Sequence, residues 1–367
     1  MKKKLSALKA WWRIKTAGEK VLSVLCFLAV VCLVYVGVSF GSTYYADKQR
    51  RAALSATDTE GRPLNSRVHN GKVYVPNPDV TTYLIMGIDK KDDADISELK
   101  AYEFGQADSI MLAVLDSKAK TAKLVNIPRD TMVDIKTYAP DGSVDTVDWE
   151  QICLQYAYGK SPSHCAELME KAITEQVFPG ITIDHYAALH FFVLPVIVDD
   201  IGGLDITMSG DYDIMVYTME GNVEPRHYDA GKTYHLYNYD AVGIAHYRDI
   251  DIYGSAMDRI ERQKDFLRAF YHDAKEAVKN DPSLIPKIYS DIKKGLNTDL
   301  SLADIVSLAS VAMDADFSVE NSVVTLPGEV GEEIDFWDKM LHNTYEMDKD
   351  GAKQIMMDTW YLPWDGK

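Results

Sequence analysis

A group of cationic and amide side chains in the last third of the chain is the part of the sequence best suited to chemistry. Arg248 lies in a predicted loop, and Arg259, Arg262 and Gln263 lie near the start of a predicted helix. Arg259 and Gln263 share one helix face, and Arg262 lies one position off it. Guanidinium groups bind planar oxygen anions with paired hydrogen bonds, so the group indicates a phosphate site. Pairing of Asp258 with Arg262 on a solvated helix face would explain the same spacing.

A second group consists of charged residues at the ends of apolar runs. Asp89 follows one such run, Asp108 precedes the next, and Arg129 follows a third run directly after Pro128. Two carboxylates held close together repel each other unless a cation joins them. A hard divalent ion such as Mg²⁺, shared with phosphate oxygens, suits this position. We therefore predict a Mg²⁺ site at Asp89 and Asp108, although an Asp after a Gly is often an ordinary turn residue.

The elements that must position these residues alternate between strands and helices. Apolar runs predict strands at residues 82–87, 109–116, 122–127, 185–189, 204–206 and 322–326. Helical spacing predicts helices at 148–159, 163–176, 191–201, 237–246, from 256 onward, 283–294, 301–314 and 349–360. Residues 208–235 are expected to be irregular, and 109–116 to be a central strand buried on both faces. The hairpin expected at 116–123 makes the predicted α/β fold one with a mixed sheet.

The N-terminus predicts a membrane anchor. The first twenty residues carry seven Lys or Arg and one acid, and residues 21–46 carry no charge. An apolar run of about 20 residues can cross a bilayer as a helix, and the basic flank stays inside. We therefore expect a single-pass cell-membrane protein with a cytoplasmic N-terminus and an extracellular main domain. The predicted parts are a cytoplasmic basic tail (1–20), a transmembrane helix (21–41), an extracellular stalk (42–75), a folded catalytic or binding domain (76–330) and a C-terminal extension packed on it (331–367).

The net charge bears on the class of binding partner, and the cysteines bear on the presence of a disulfide bond. The formal net charge is −17, which argues against nucleic acid because such binding needs an extended basic surface. Cys153 and Cys165 lie in the part expected outside the cell, where a disulfide between them is one hypothesis and two free thiols the other.

Seven segments, in the same order, resemble the LytR-CpsA-Psr family of bacterial envelope proteins. They are GID (Gly87–Asp89), ADSIMLAVLD (Ala107–Asp116), NIPRDT (Asn126–Thr131), YAYG (Tyr156–Gly159), IGGLDI (Ile201–Ile206), HLYNYDAVGIAHYR (His235–Arg248) and DRIERQ (Asp258–Gln263). The resemblance implies a three-layer α-β-α sandwich that binds a polyprenyl-pyrophosphate-linked glycan, such as a teichoic acid or capsule precursor. It also implies transfer of the glycan phosphate to the muramic acid 6-hydroxyl of peptidoglycan, with release of the lipid phosphate.

The resemblance also implies roles for individual residues. Asp89 and Asp108 would hold Mg²⁺, and the pyrophosphate would be held by Arg129, Arg248, Arg259 and Gln263. In this assignment the catalytic residues are Arg129, Arg248, Arg259 and Asp108, and Arg262 and Gln106 join the substrate-binding set. Either Asp249 or Asp258 would serve as the base on the acceptor hydroxyl. Residues 186–201 and 237–247 are candidate walls for the lipid chain, with ordinary core packing as the alternative.

Three positions depart from the family pattern. Gln106 and Ile250 replace arginines, and Ala256 replaces an acid. Each lost charge-assisted contact costs about 1.5–3 kcal/mol. Three readings follow: a Mg²⁺-dependent phosphotransferase, a degenerate module that binds lipid-linked glycan or scaffolds envelope assembly without catalysis, and a pyrophosphatase that transfers the glycan phosphate to water.

Overall fold

The computed structural model describes most of the chain beyond residue 62. The described residues are 57, 63–89, 96, 99, 103–139, 143–218, 222–247, 255–314, 317–334 and 341–364, except the side chains of 217, 255–260, 311–314 and 334. The chain divides into two units, Met1–Leu64 and Asn65–Lys367, and all elements below belong to the second. The predicted transmembrane helix at 21–41 lies outside the described residues, among which no helix is long and apolar enough to cross a bilayer.

The strands of the described residues are numbered in chain order. They are β1 (Arg67–His69), β2 (Lys72–Pro76), β3 (Val80–Ile88), β4 (Ala107–Asp116), β5 (Thr121–Ile127), β6 (Met132–Tyr138), β7 (Val144–Gln151), β8 (His185–His190), β9 (Leu204–Thr207), β10 (Tyr212–Tyr217), β11 (Val223–Tyr228), β12 (Thr233–Leu236), β13 (Leu296–Thr298), β14 (Val323–Thr325), β15 (Gly328–Ile334), β16 (Leu341–Met347) and β17 (Tyr361–Pro363).

The helices are numbered in the same way. They are α1 (Leu154–Ala157), α2 (Pro162–Ala172), α3 (Val193–Asp200), α4 (Asn238–His246), α5 (Ser255–Asn280), α6 (Leu284–Ile292), α7 (Leu302–Asp314), α8 (Val319–Ser322) and α9 (Lys349–Trp360). A π-helical turn (Ile173–Val177) continues α2, and a 3₁₀ turn (Lys293–Gly295) follows α6.

The central sheet has six strands in the order β13-β8-β3-β4-β5-β14. β3 runs parallel to β8, and β14 runs parallel to β5, whereas the other neighbours are antiparallel. The hairpin between β4 and β5 pairs Asp116 with Thr121, as the turn-forming residues between the two apolar runs predict. The predicted α/β fold with a mixed central sheet is therefore confirmed.

One face of this sheet forms the main core. The side chains of Leu84, Leu112 and Val125 lie on that face in register across three strands and are fully buried. They belong to one apolar cluster with side chains of α2 and α9, such as Met169 and Met356. The opposite face is only partly covered, so the expectation that β4 is buried on both faces is wrong. Along β4, the side chains that point to this opposite face alternate with those of the core face, and most of them are half-buried.

The strong helical and strand patterns are confirmed, and two segments differ from the prediction. The segment expected as a helix at 148–159 forms the end of β7 and the short helix α1, because β7 pairs with β6 in a hairpin. The segment expected to be irregular at 208–235 contains the β10–β11 hairpin and the strand β12, which pairs with β9. In both places, pairing with a neighbouring strand overrides weak local preference.

The C-terminal segment is part of the folded unit. Met356, Met357 and Trp360 of α9 are buried in the main core, and Trp360 donates a hydrogen bond from its indole nitrogen to Thr82 of β3. The last strand, β17, pairs with β2 near the start of the unit. The two ends of the unit are therefore held together by both side-chain packing and backbone pairing.

Candidate functional site

Arg129 lies in a tight turn between β5 and β6. Pro128 ends β5, since it has no N–H to donate to the strand ladder. The backbone N–H and the hydroxyl of Thr131 both donate to the Pro128 carbonyl, at 3.0 and 2.7 Å. The Asp130 carbonyl accepts from the N–H of Tyr345 in β16 at 2.8 Å. These contacts fix the backbone on both sides of Arg129, so its side chain starts from a rigid position.

The Arg129 guanidinium is surrounded by acceptors. Nη1 donates to Asp108 Oδ1, Nη2 donates to Gln106 Oε1 at 3.3 Å, and Nε lies 3.3 Å from Asp130 Oδ1. The side chain is 23% exposed, so one part of it still faces solvent. Burial lowers the pKa of Arg129, but Cys153, Asp108 and Asp130 together raise it above its ordinary value. The group is a permanent cation with an accessible edge, as binding of a phosphate requires.

Asp89 and Asp108 lie at the ends of neighbouring strands. The Asp89 N–H donates to the Gln106 carbonyl at 2.9 Å, next to an irregularity in the β3–β4 register. Gly105 has φ +82°, and a Cβ there would lie 3.0 Å from the Asp89 carbonyl oxygen. A side chain at residue 105 would therefore disturb the backbone that carries both Asp89 and Gln106. The structure thus brings four of the predicted site residues together: Asp89, Gln106, Asp108 and Arg129.

The chemistry of these donors fits Mg²⁺. Asp89 is exposed and Asp108 is 31% exposed, so both carboxylates are open to solvent. Mg²⁺ usually takes one or two carboxylates and completes its octahedron with water and phosphate oxygens. Among the residues that the structure describes, no group of three or more His, Cys, Asp or Glu side chains is arranged to hold a metal ion. Two solvent-accessible carboxylates beside an arginine fit the kind of site in which Mg²⁺ has few protein ligands.

Cys153 and Asp130 belong to the cluster, although the sequence did not single them out. The Cys153 N–H donates to the Arg129 carbonyl at 3.2 Å, and its carbonyl accepts from Ala107 at 3.1 Å. Cys153 thus connects the Arg129 turn to the start of β4. Asp130 could have been found from its place in the NIPRDT segment, whereas no sequence signal links Cys153 to Arg129.

Cys153 and Cys165 are both buried free thiols, so the hypothesis of a disulfide between them is wrong. Cys153 lies beside Arg129, and Cys165 belongs to the core face of α2. Burial raises the pKa of each thiol to about 12, so neither thiol ionises to a thiolate near neutral pH. Both side chains are therefore neutral packing groups in this fold.

Arg262 and Gln263 lie on α5 and hold the C-terminal end of α4. Arg262 is 6% exposed, and it donates from Nε to the Ile244 carbonyl at 3.1 Å and from Nη2 to the Tyr247 carbonyl. Gln263 donates to the Ala245 carbonyl at 3.4 Å. The last carbonyls of a helix have no partner within the helix, so these donors complete it. Both side chains fix the point at which the chain leaves α4 towards Arg248.

The end of α4 is connected to the end of β3 through one aromatic residue. The Phe191 N–H donates to the Ile88 carbonyl at 3.0 Å, and the Phe191 ring lies 4.4 Å from the His246 ring, centroid to centroid. Ile88 immediately precedes Asp89, and His246 is two residues before Arg248. Arg248 itself lies outside the described residues, as does the side chain of Arg259 on α5. The segment leading to Arg248 nevertheless begins close to the Asp89 end of the sheet.

The comparisons with known proteins agree with one another. The model of the LytR_cpsA_psr family matches residues 42–358. Over 78% of the chain, the sequence is 26% identical to the polyisoprenyl-teichoic acid–peptidoglycan teichoic acid transferase TagV of Bacillus subtilis. Over 50% of the chain, it is 23% identical to the transferase TagU of Bacillus licheniformis. The chain spans 66% and 53% of the lengths of these two proteins.

A solved structure shows the same fold. The crystal structure of TagV from Bacillus subtilis covers 77% of this chain and 96% of its own, with a TM-score of 0.54 and 20% sequence identity. The likeness extends over most of both chains rather than over a short motif. It therefore supports the mixed α/β architecture described above.

Proposed function

Because the chain belongs to the LytR-CpsA-Psr family, we propose that it is a cell-envelope phosphotransferase that moves a glycopolymer from a polyprenyl-pyrophosphate carrier to peptidoglycan. In this reaction an acceptor hydroxyl gives its proton to a base, Asp249 or Asp258, and its oxygen attacks the phosphorus that carries the glycan. The bond from that phosphorus to the lipid phosphate oxygen breaks, and polyprenyl phosphate leaves. The relatives' names, teichoic acid transferases acting between a polyisoprenyl carrier and peptidoglycan, support this direction of transfer.

The observation that carries the proposal is the environment of Arg129. Its guanidinium is fixed by Asp108, Gln106 and Asp130, yet it keeps an edge open to solvent. Phosphoryl transfer depends mainly on positioning and on neutralising the charge of the phosphates. A fixed guanidinium supplies both, because little reorganisation is needed when the charged group arrives.

Asp89 and Asp108 would hold Mg²⁺ in the same site. When bound, the ion supplies positive charge to the phosphate oxygens. Asp108 also contacts Arg129, so the carboxylate has a second task of orienting the guanidinium. Arg248 and Arg259 would contribute further positive charge. Arg262 and Gln263 would act through the end of α4, whose carbonyls they hold just before Arg248.

The fold also supports a place for the lipid chain. The partly covered face of the sheet and the segment from β8 to α3 are apolar, and Phe191 stacks on Tyr239 of α4 with ring centroids 6.1 Å apart. We include in the proposal a three-layer α-β-α arrangement in which these elements form the walls for the polyprenyl chain. The predicted transmembrane helix at 21–41 would anchor the chain in the membrane that contains this lipid.

A second function is favoured by Gln106. Its neutral amide occupies a position next to Arg129 where a further cation would strengthen phosphate binding. With Ile250 and Ala256, it supports a degenerate module that binds lipid-linked glycan, or scaffolds envelope assembly, without transferring it. The two functions differ in turnover and not in ligand.

The test uses the full-length chain in detergent with a polyprenyl-pyrophosphate-linked disaccharide, Mg²⁺ and purified peptidoglycan. We expect transfer of the disaccharide phosphate to peptidoglycan, and a loss of at least about 10-fold in Arg129→Lys, because lysine cannot keep the three contacts of the guanidinium. Arg226→Lys is the matched control, since Arg226 of the β10–β11 hairpin also lies between two carboxylates, those of Glu224 in the same hairpin and Asp240 in α4.

Each result has a definite meaning. Binding of the lipid without any transfer would refute the enzyme and favour the binding module. Release of the disaccharide phosphate into water at the same rate with and without peptidoglycan would identify a pyrophosphatase instead. Equal losses in Arg129→Lys and Arg226→Lys would show that Arg129 has no special role.

A further inference from the structure

The outward face of the β6–β7 hairpin is an exposed surface that begins at the Arg129 turn. Trp149 and Val147 of β7 are 51% and 52% exposed, although both are large apolar residues on a strand that pairs with β6. Exposed apolar side chains that lie side by side can form part of an interaction surface. We call this surface the ledge and define it by Val147, Trp149 and Gln151 of β7 with their cross-strand partners Lys136 and Asp134 of β6.

The ledge is continuous with the candidate site. Gln151 donates from Nε2 to Asp130 Oδ1 at 3.2 Å, and the same oxygen lies 3.3 Å from Arg129 Nε. Side chains alternate along a strand, so Gln151, Trp149 and Val147 point to the same side at intervals of roughly 6–7 Å. A chain-like ligand lying on the ledge would therefore reach the Arg129 turn without changing direction.

The ledge is also held rigidly. The side-chain amide of Gln176 makes two hydrogen bonds with the backbone of Asp134, accepting from its N–H at 2.8 Å and donating to its carbonyl at 3.0 Å. Lys136 is fixed by an ion pair with Glu175 at 2.7 Å. A surface that is already ordered loses little conformational entropy when a ligand binds.

The mixture of groups on the ledge matches a sugar chain. Trp149 offers a flat aromatic face, on which the C–H face of a sugar ring can lie. Asp134 lies directly across from it, and its exposed carboxylate can accept hydrogen bonds from the hydroxyl and amide groups at the rim of such a ring. A bilayer with anionic lipids fits less well, because Asp134, Asp145 and Asp148 give the hairpin negative charge.

We propose that the ledge binds the glycan strand of peptidoglycan, a chain of N-acetylated hexosamines, and leads its acceptor hydroxyl to the site at Arg129. This inference rests on the proposed function, because it names the place where the acceptor of that reaction lies. It assigns the donor lipid and the acceptor glycan to different surfaces, which meet at the Arg129 turn.

The experiment measures binding of the full-length chain, without any lipid substrate, to peptidoglycan sacculi freed of teichoic acid and to chitotetraose. We expect Trp149→Ala to weaken both interactions about 10-fold, and Trp149→Phe to restore most of the binding because it keeps an aromatic face. Val147→Ser should weaken binding less. Val223→Ser is the matched control, because Val223 is 50% exposed on a strand of the β10–β11 hairpin. Circular dichroism and urea midpoints confirm that each variant is folded.

The outcomes separate this inference from the proposed function. Binding is measured without turnover, so a chain that transfers nothing would still show whether the ledge holds the glycan. Wild-type binding to sacculi in folded Trp149→Ala would overturn the inference, as would a wild-type chain that binds neither sacculi nor chitotetraose. Binding to vesicles that contain phosphatidylglycerol is measured in the same way. If Trp149→Ala lost binding to these vesicles and kept its binding to sacculi, the inference would be overturned in favour of a membrane surface.

Discussion

Replacing Gln106 with arginine should strengthen pyrophosphate binding. Gln106 Oε1 lies 3.3 Å from Arg129 Nη2, so a guanidinium at residue 106 would lie beside the first one. Two like charges about 4 Å apart near a protein surface repel by about 4 kcal/mol. Arg129 already lies beside two carboxylates, those of Asp108 and Asp130. Their attraction for a second guanidinium offsets this repulsion when no ligand is bound. We therefore expect a folded variant of nearly unchanged stability.

The gain should appear when the phosphates bind. One new charge-assisted contact contributes about 1.5–3 kcal/mol, which corresponds to about 10- to 150-fold in affinity. The assay is calorimetric titration of the full-length chain with geranylgeranyl pyrophosphate in the presence of Mg²⁺. Gln354→Arg is the matched control, since Gln354 is an exposed side chain of α9 that contacts the carboxylate of Asp358.

The two variants carry the same net charge, so a general electrostatic effect would raise the affinity of both. A gain in Gln106→Arg alone would support a pyrophosphate site at Arg129. Unchanged or weaker binding in folded Gln106→Arg would refute the reasoning that the phosphates lie beside this residue.

Three further predictions concern stability and reactivity. Arg262→Met should lower the free energy of unfolding by about 2–4 kcal/mol, because it removes the donors to the carbonyl of the buried Ile244 and to that of the half-buried Tyr247, and a urea titration checks this. Burial, followed by the nearby Asp299, raises the pKa of Glu170 from 4.5 to about 7. The folded state therefore favours the protonated acid, and this contribution is complete below pH 4.5 and is lost as the pH rises through about 7. Glu170→Gln should thus raise the melting temperature at pH 8 and leave it unchanged at pH 4.5, and equal effects at both values would contradict this. Cys153 and Cys165 should resist iodoacetamide at pH 8 until the chain is unfolded, which mass spectrometry can show, and rapid labelling of the native protein would contradict the buried, protonated state.

The sequence predicts the central sheet well, because its strands are long apolar runs with clear ends. The run at Ser109–Asp116 and the turn after it leave little choice other than a buried strand and a hairpin. By contrast, β7 has exposed polar and apolar residues in no regular order, and only its pairing with β6 makes it a strand. Long-range pairing of this kind leaves no local pattern in the sequence.

The candidate site likewise has one part that the sequence predicts and one part that it does not. The cluster of Asp89, Asp108 and Arg129 follows from their places at the ends of predicted strands, since adjacent strand ends meet at one edge of a sheet. The part played by Cys153 in that cluster does not follow, because it depends on two backbone hydrogen bonds to residues far away in the chain. The contacts of Arg262 with the end of α4 were equally hidden, since carbonyl acceptors carry no residue-type signal.

The order in which the central sheet is assembled has a consequence for biosynthesis. Its four inner strands are complete by residue 190, whereas the two outer strands, β13 and β14, begin only at residues 296 and 323. A nascent chain that has emerged only as far as the middle therefore presents two bare sheet edges, and bare edges recruit other chains. Premature termination before residue 296 would leave an aggregation-prone fragment and not a smaller functional protein. The nascent chain therefore needs protection from aggregation until both outer strands have been synthesised.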